Sequence, residues 1–302
     1  MKRVLIVGCG FVGLPLGRTL ARRGHVVFGL RRTPAAAEEM TAAGIRPLMG
    51  DITEPASLTR LPTDWDWVIN CAASGGGGAA EYRRLYYDGT RCLLEWLNVG
   101  RVERYIYTSS TGVYGQDDGS VVSETSATQP ASVTAQILVQ TEQVLLTAAR
   151  EQGFPAVILR LSGIYGGGRG YWLRQILSGE ARLEGDGERI LNMIHREDVV
   201  EGIAAALERG QSGEIYNVTD DEPVAQRVLF EWLSRRLGRP ILASGSSATQ
   251  SQRRAATSKA VSNRRLRVDL GVRLAYPTFR EGYEAEIGER ESGGIERSST
   301  AK

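Results

Sequence analysis

Three glycines close to the N-terminus are spaced to bind a phosphate group. They form the pattern G-x-G-x-x-G directly after an apolar, β-branched run at residues 4–7. In such a turn the first glycine permits a tight bend, the second lets the backbone approach a pyrophosphate, and the third lets the next helix pack on the strand. The start of that helix adds free N–H groups and a positive dipole end. The residues predicted to contact the phosphates are Gly8, Gly10, Phe11, Val12 and Gly13.

The end of the second predicted strand, residues 26–30, indicates which nucleotide binds. An NAD site usually has an acid there that accepts hydrogen bonds from the ribose 2′-hydroxyl. This strand ends in Arg31 and Arg32, and no acid follows until Glu38. A guanidinium cannot accept a hydrogen bond but pairs well with a 2′-phosphate. The sequence therefore favours NADP(H) over NAD(H).

The glycine turn belongs to a repeated pattern of strand followed by helix. This alternation predicts a Rossmann-type, doubly wound parallel sheet of the α/β class, with helices on both faces. Ligands bind at the carboxyl ends of such strands, which is where Asp51, Ala72 and Ser110 fall. The further strands are predicted at residues 45–49, 67–71, 105–108 and 156–161.

Beyond residue 161 the alternation loosens, and the shorter elements predict a smaller C-terminal α/β lobe that closes over the cofactor. Residues 243–256 are predicted as a long polar loop. The tail at 285–302 is charged and lacks an apolar period, which predicts disorder. The predicted boundaries are 1–161, completed by about 196–218, for the dinucleotide-binding domain, and 162–195 with 219–284 for the substrate lobe.

The composition excludes several classes of partner. The 37 basic and 35 acidic residues leave a formal net charge of +2, so nothing indicates nucleic-acid binding. Three cysteines without a C-x-x-C pair, and two histidines, predict neither a disulfide frame nor a metal site. No apolar run is long enough to span a membrane. We therefore expect a cytoplasmic protein that acts on a small molecule, without a membrane or nucleic-acid partner.

Six further segments carry short motifs in a fixed order along the chain. They lie at residues 50–51, 70–73, 88–90, 107–115, 160–166 and 194–199. Together with the glycine turn they resemble the extended short-chain dehydrogenase/reductase family, the NAD-dependent epimerase/dehydratase group, over about residues 2 to 283. The resemblance implies a Rossmann fold, a nicotinamide dinucleotide, and a substrate with a hydroxyl or carbonyl group, such as a sugar. The phosphate turn departs from the family's G-x-x-G-x-x-G by being one residue shorter.

The resemblance also assigns roles to individual residues. Ser110 falls at the family's catalytic Ser/Thr position, which polarises the substrate oxygen. Counted from Gly13, Arg31 falls where NAD-using members place their Asp. The further cofactor contacts that the resemblance implies are Asp51, Ile52, Ala72, Ala73 and Ser109.

One part of the family's catalytic set is missing from this sequence. The family uses a Tyr, and a Lys four residues later, on the helix after the fifth strand, and this pair moves the proton. Aligned on Glu142, the two positions are Thr134 and Leu138, and no lysine lies between Lys2 and Lys259. The usual acid/base is therefore absent, and another group must replace it in an active enzyme.

Several groups near the expected nicotinamide position could replace the pair. A tyrosine could donate a proton, although a free phenol has a pKa of ~10, and a histidine already titrates in the useful range. Each also has a structural interpretation, since Tyr-Gly turns often pack and a histidine before a helix often caps it. The catalytic candidates are Ser110, Tyr114, Thr134 and Tyr165, and the substrate-facing candidates are Arg169, Asn192 and His195.

Two functions remain open at this point. One is an NADP-preferring oxidoreductase or epimerase that acts on a hydroxyl or carbonyl compound. The other is a catalytically inactive NAD(P)H-binding sensor or scaffold protein. The missing Tyr–Lys pair favours the second, whereas the retained serine and the second lobe favour the first, to which we give slight preference. The apolar second faces of the helices at about 80–98 and 131–152 also predict a homodimer.

Overall fold

The computed structural model describes residues 1–97, 102–241 and 257–299, with side chains in the last range up to residue 292. Its strands are β1 (Arg3–Val7), β2 (Val26–Arg31), β3 (Ile45–Met49), β4 (Trp67–Asn70), β5 (Arg104–Ser110), β6 (Val121–Val122), β7 (Ala156–Leu161), β8 (Gly163–Tyr165), β9 (Ile190–Leu191), β10 (Met193–His195), β11 (Ile215–Val218), β12 (Val224–Ala225) and β13 (Ala260–Val261). Its helices are α1 (Gly13–Arg22), α2 (Ala37–Ala42), α3 (Pro55–Leu58), α4 (Gly78–Tyr82), α5 (Gly89–Leu97), α6 (Val133–Gln152), α7 (Tyr171–Leu177), α8 (Arg196–Arg209), α9 (Gln226–Leu237), α10 (Arg264–Val268) and α11 (Phe279–Ser299).

Seven of these strands form one parallel sheet, in the order β11-β7-β5-β4-β1-β2-β3. The strand order reverses between β1 and β4, and a crevice for a ligand opens at such a switch point, beyond the carboxyl ends of the strands. The predicted Rossmann-type, doubly wound α/β fold is confirmed.

The sheet is apolar on both faces because helices cover both of them. On one face, α1 and α8 pack through buried residues such as Leu16 and Ile203. On the other, α5 and α6 pack through Leu93 and Leu145. The strands therefore read as continuous apolar runs, as expected for a parallel sheet that is buried on both sides.

A smaller cluster of elements lies beyond the carboxyl edge of the sheet. Here α7, α9 and α11 share a separate apolar core that includes Leu173, Phe230 and Phe279. Three short strand pairs complete this part: β8 with β10, β9 with β12, and β6 with β13. The last pair brings a segment from late in the chain to the loop after β5.

The C-terminal tail is a correction to the sequence analysis. The prediction of disorder from residue 285 is wrong over residues 285–299, because α11 continues to Ser299. Glu286 and Ile287 are 4% and 2% exposed, so specific contacts hold this turn although the surrounding sequence has little apolar period. The predicted loop at 243–256 lies outside the described residues.

The predicted helix at 80–98 is divided, since a π-helical segment, Arg83–Asp88, joins α4 to α5, and Asn98 lies outside the described residues. In the described part of the chain, every helix is too short or too polar to cross a membrane.

Candidate functional site

The glycine turn after β1 has the geometry that its sequence predicts. Gly8 has a φ of +83°, and a Cβ atom on it would lie 2.4 Å from the Cα atom of Ala72. A Cβ atom on Gly13 would lie 2.6 Å from the Gly8 carbonyl oxygen. At Gly10 a Cβ atom would meet only the Arg31 guanidinium, at 3.4 Å. Gly8 and Gly13 thus allow close backbone packing, while Gly10 leaves open space where a pyrophosphate fits.

Arg31 extends from the end of β2 across this turn. Its Nη1 donates a hydrogen bond of 2.6 Å to the carbonyl oxygen of Cys9. Within the described residues no carboxylate pairs with Arg31, so its other N–H groups are available to an anion. The neighbouring Arg32 is exposed. The Arg31 guanidinium therefore lies beside the phosphate turn, and its contact with a 2′-phosphate stays a prediction.

The predicted adenine and ribose contacts lie at the same edge of the sheet. Asp51 and Ile52 directly follow β3, and the Asp51 carboxylate accepts two hydrogen bonds of 2.8 Å from the backbone N–H and hydroxyl of Thr53. Ala72 and Ala73 follow β4, and the Ala72 amide donates to the side chain of Asn70 at 3.3 Å. The sheet thus brings these segments together, and their contact with a nucleotide stays a prediction.

Arg169 also lies at the phosphate turn and not in the cavity described next. The centre of its guanidinium is 4.7 Å from the centroid of the Phe11 ring, and that of Arg196 is 5.4 Å from it. The loop that carries Arg169 bends back because Gly166, Gly167 and Gly168 all have positive φ. Arg169 therefore does not line the cavity as predicted for a substrate-facing residue, and its guanidinium lies against Phe11 of the glycine turn.

A cavity of about 500 Å³ opens beyond the carboxyl end of β5. The large domain contributes Ser110, from the end of β5, and Thr134, from the first turn of α6. The C-terminal elements contribute Tyr165, Asn192 and Lys259. A cavity of this size and place can hold a small organic substrate.

Ser110 is prepared to donate a hydrogen bond into the cavity. Its Oγ accepts a hydrogen bond of 3.0 Å from the backbone N–H of Gly112, and Ser110 thereby caps the start of the short turn Thr111–Val113. Among the described residues nothing accepts the hydroxyl proton, so it is free for a substrate oxygen. The Thr134 hydroxyl is 3.4 Å from that of Ser132, which caps α6.

Lys259 is the residue that sequence reasoning missed. Its Nζ donates to the carbonyl oxygen of Tyr114 at 3.0 Å and to the hydroxyl of Thr257 at 2.8 Å, and the residue is 4% exposed. Burial, together with the nearby charge of Arg189, lowers the pKa of Lys259 to about 8. The family motif places its lysine on the helix after the fifth strand, and that motif gives no signal near residue 259. The signal that points to it is that the chain has only three lysines.

Asn192 lines the cavity but uses its amide to hold this lysine. Its Nδ2 donates to the carbonyl oxygen of Lys259 at 2.8 Å, and its Oδ1 accepts from the backbone N–H of Val261 at 2.8 Å. The predicted substrate contact is therefore, first of all, a positioning residue for Lys259.

The fold is that of a known family. The sequence model of the NAD-dependent epimerase/dehydratase family matches residues 4–219 of the chain. The chain belongs to this family. The family expected from the sequence motifs is confirmed.

Individual relatives of this family member cover most of its length. Protein YeeZ of Escherichia coli K12 is 31% identical over 243 residues, which are 79% of this chain and 85% of that protein. The 4-hydroxy-2-methyl-3-oxo-4-farnesyl-3,4-dihydroquinoline-1-oxide ketoreductase of Stigmatella aurantiaca is 28% identical over 250 residues, or 79% of this chain and 74% of that protein. The structure of MoeE5 in complex with UDP-glucose and NAD is 25% identical and has a TM-score of 0.79, covering 96% of this chain and 99% of MoeE5.

Two of the residues that the family resemblance placed in the site belong to a buried network instead. The Tyr114 hydroxyl donates to Asn217 at 2.8 Å and accepts from Arg160 at 2.9 Å, and Tyr114 is fully buried. The Ser109 hydroxyl donates to Glu142 at 2.6 Å, and Glu142 pairs with Arg160 at 2.7 Å. The prediction that Tyr114 exchanges a proton with substrate is wrong, because burial raises the pKa of its phenol and both sides of its hydroxyl are occupied. The Ser109 hydroxyl is likewise not available to a cofactor.

His195 of this epimerase/dehydratase-family protein is not part of the cavity wall, so the predicted substrate contact is wrong. Its Nδ1 accepts a hydrogen bond from the backbone N–H of Glu197 at 3.3 Å, which caps α8. Its ring lies 3.9 Å from that of Tyr276, and burial lowers the pKa of the imidazole. A neutral imidazole with Nδ1 as acceptor carries its hydrogen on Nε2. That atom lies 3.8 Å from the carboxylate of Glu286.

Glu286 binds the glycine loop from the C-terminal helix. The backbone N–H groups of Gly167 and Gly168 donate to its two carboxylate oxygens at 2.6 and 3.1 Å. Successive N–H groups in such a loop form a concave anion site, here filled by a side chain of the same protein. Helix α11 thereby holds the loop that carries Arg169.

Tyr165 lines the cavity, but its environment does not suit proton exchange. Its ring stacks on that of Tyr283 with centroids 4.4 Å apart, and its buried hydroxyl has no hydrogen-bond partner among the described residues. Burial raises the pKa of this phenol far above its ordinary value. We therefore assign Tyr165 a structural role, in which its ring shapes the cavity wall.

Proposed function

We propose that this protein is an NADP-preferring oxidoreductase or epimerase that acts on a hydroxyl or carbonyl group of a small molecule. The observation that carries the proposal is the free Ser110 hydroxyl in a cavity at the same sheet edge as the glycine turn. The three free cysteines suit the reducing cytoplasm, where we place the reaction.

The residues present fit a nicotinamide dinucleotide. The space at Gly10 and the start of α1 suit the pyrophosphate, and Arg31 suits a 2′-phosphate. We place the adenosine beside Asp51 and Ile52. When bound, such a cofactor supplies or accepts a hydride. The protein's own part is to orient the nucleotide along the sheet edge and to hold the substrate against it.

Ser110 is the residue that donates a hydrogen bond to the substrate oxygen. A hydroxyl that accepts from a backbone N–H is a better donor, because hydrogen bonds in a chain polarise one another. A carbonyl oxygen placed within reach of Ser110 gains negative charge as its carbon is reduced, and the serine stabilises that charge. The names of two relatives, a ketoreductase and a protein in complex with UDP-glucose and NAD, support carbonyl compounds and sugar nucleotides as the first substrates to screen.

Replacing Arg31 with aspartate should reverse the cofactor preference. The variant loses a charge-assisted contact to the 2′-phosphate, worth roughly 1.5–3 kcal/mol, and gains an acceptor for a ribose hydroxyl. We expect the Kd for NADPH to rise about 10- to 100-fold while the Kd for NADH falls. Fluorescence titration of the reduced nucleotides measures both constants.

The matched control for this titration is Arg22→Asp, which makes the same charge change at an exposed position on α1. An Arg31→Asp protein that prefers NADPH as strongly as the control would contradict the assignment of Arg31. Tight NADPH binding without oxidation in the presence of any carbonyl or sugar-nucleotide compound would instead support the sensor function.

We further propose that a second copy of the chain covers the outer face of α5 and α6. A groove of about 640 Å³ lies between these helices, lined by half-buried Leu94, Val139 and Val144. Its rim carries Arg91 and Glu95 together with several glutamine side chains. A two-fold contact needs a surface that complements itself, and opposite charges beside amides meet that condition.

Val144→Glu should therefore give a monomer in light scattering coupled to size-exclusion chromatography, where the unaltered protein gives a dimer. Burying a carboxylate in an apolar contact without a partner is unfavourable. Val268→Glu, at a position that is 63% exposed on α10, is the control and should remain dimeric. A monomeric unaltered protein would disprove the interface.

A further inference from the structure

The proposed reaction needs a group that exchanges a proton with the substrate oxygen, and the cavity wall offers few. Among the described residues that line it there is no Asp, Glu, His or Cys. An arginine stays protonated at all relevant pH values, and phenols ordinarily lose their proton only near pH ~10. The titratable groups in the wall are Tyr82, Tyr165, Tyr171, Tyr283, Arg189 and Lys259.

Lys259 differs from a structural lysine in having no counterion among the described side chains. Its two hydrogen-bond acceptors, the Tyr114 carbonyl and the Thr257 hydroxyl, are neutral. No ion pair joins it to a carboxylate within the described residues, and the sequence of residues 242–256, which precede it, contains neither Asp nor Glu. Arg189, the charged group that acts on it, is also basic and is itself paired with Glu184 at 2.6 Å. A buried charge without a counterion costs free energy, and proteins keep such groups mainly where they function.

Backbone contacts hold the ammonium group in the wall of the cavity that Ser110 also lines. The Tyr114 carbonyl that binds Nζ directly follows the turn Thr111–Val113, which begins at Ser110. On the other side, β13 pairs with β6 directly after Lys259, and Asn192 binds the lysine's own carbonyl oxygen. Both sides of the cavity thus converge on one amine. Two of its three hydrogens are used by Tyr114 and Thr257, which leaves one for a ligand in the cavity.

We propose that Lys259 exchanges the proton with the substrate oxygen. It does so in place of the family's Tyr–Lys pair, whose two positions on α6 are occupied here by Thr134 and Leu138. The proposal rests on the proposed function. In the direction of reduction, the carbonyl carbon gains a hydride from the reduced nicotinamide and its π electrons move to oxygen. One N–H bond of the Lys259 ammonium breaks, an O–H bond forms, and the alcohol leaves. The neutral amine then takes a proton from water, and oxidation follows the same steps in reverse.

The first test measures the lysine directly, without a substrate. Protein labelled with 15N-lysine contains three lysines, so its side-chain spectrum is simple, and Lys259→Arg identifies the Lys259 signal. Lys259 should titrate with a pKa of about 8, whereas the pKa of Lys2, paired with Glu103, is raised. NADP⁺ should lower the Lys259 midpoint further than NADPH does, because the oxidised ring carries a positive charge. An ordinary midpoint near 10.5, or the same midpoint with both nucleotides, would overturn the proposal.

The second test uses NADPH-dependent reduction of 9,10-phenanthrenequinone as the probe. Lys259→Met and Lys259→Arg should both reduce kcat about 10²- to 10⁴-fold with the Kd for NADPH unchanged. In the unaltered protein, reduction needs the ammonium form, so kcat should fall as the pH rises past about 8. Lys2→Met is the control and should keep full activity.

The arginine variant separates proton transfer from charge. A lysine that only anchors an anionic substrate group would retain kcat in Lys259→Arg, and that result would overturn the proposal. Failure of the unaltered protein to bind NADPH would overturn the proposed function itself. Binding without reduction of the probe leaves the lysine titration to decide, since it needs no turnover.

Discussion

The Glu142→Ala variant should lose about 3–5 kcal/mol of folding free energy. Its partner is Arg160, whose side chain is 4% exposed. The two groups share three hydrogen bonds. Removing the carboxylate leaves the guanidinium without a counterion in the interior, and the Ser109 hydroxyl loses its acceptor. Urea unfolding, followed by circular dichroism, measures the loss as a lower midpoint at an unchanged slope.

Two further variants define the cause of that loss. Glu151→Ala removes an exposed acid from the same helix, where it pairs with Arg150, and should change stability by less than about 1 kcal/mol. The double variant Glu142→Met, Arg160→Met should recover much of the loss, because an apolar pair avoids the buried charge. If the double variant were as unstable as Glu142→Ala, the buried charge would not be the cause.

Ser110→Ala should reduce kcat about 10²- to 10³-fold, the usual cost of one donor to a developing oxyanion. The variant removes the Ser110 hydroxyl from the cavity wall, while the glycine turn is unchanged and NADPH binding should be kept. Stopped-flow measurement of NADPH oxidation with 9,10-phenanthrenequinone gives kcat, and thermal unfolding should show little change.

The adjacent serine provides the matched control. The Ser109 hydroxyl points to Glu142 in the buried network, so Ser109→Ala should lower the melting temperature and leave kcat nearly unchanged. The reverse result, with activity lost in the Ser109 variant and kept in the Ser110 variant, would contradict the assignment of the chemistry to Ser110. The two neighbours thus separate a structural hydroxyl from a reactive one.

The sequence predicted the sheet and the phosphate turn because both are local patterns. Strand and helix periodicity lies within about ten residues, and the requirement for glycine at Gly8 and Gly13 follows from backbone geometry at one turn. Parallel strands with short connections then allow few arrangements. These features could be predicted with no knowledge of side-chain contacts.

The roles of Tyr114, Lys259 and His195 could not be predicted in the same way, because they depend on contacts between distant segments. Tyr114 directly follows the turn Thr111–Val113, yet its hydroxyl donates a hydrogen bond to Asn217, which lies 103 residues later in the sequence. Lys259 reaches the carbonyl oxygen of Tyr114 across 145 residues. Its arrival depends on the pairing of β13 with β6, two strands of two residues each that carry no periodic signal. His195 caps α8 outside the cavity wall, and its Nε2 lies 3.8 Å from Glu286, in a tail for which the sequence predicted disorder.

The contact between Glu286 and the glycine loop has a consequence for synthesis on the ribosome. A nascent chain that has emerged as far as residue 218 already contains all seven strands of the sheet and the glycine turn. It still lacks Lys259, and the amides of Gly167 and Gly168 still lack their carboxylate. Since domains fold as units from the N-terminus during translation, we expect nucleotide affinity to emerge on the ribosome first. The contacts of Lys259 and Glu286 then form only after these residues have also emerged.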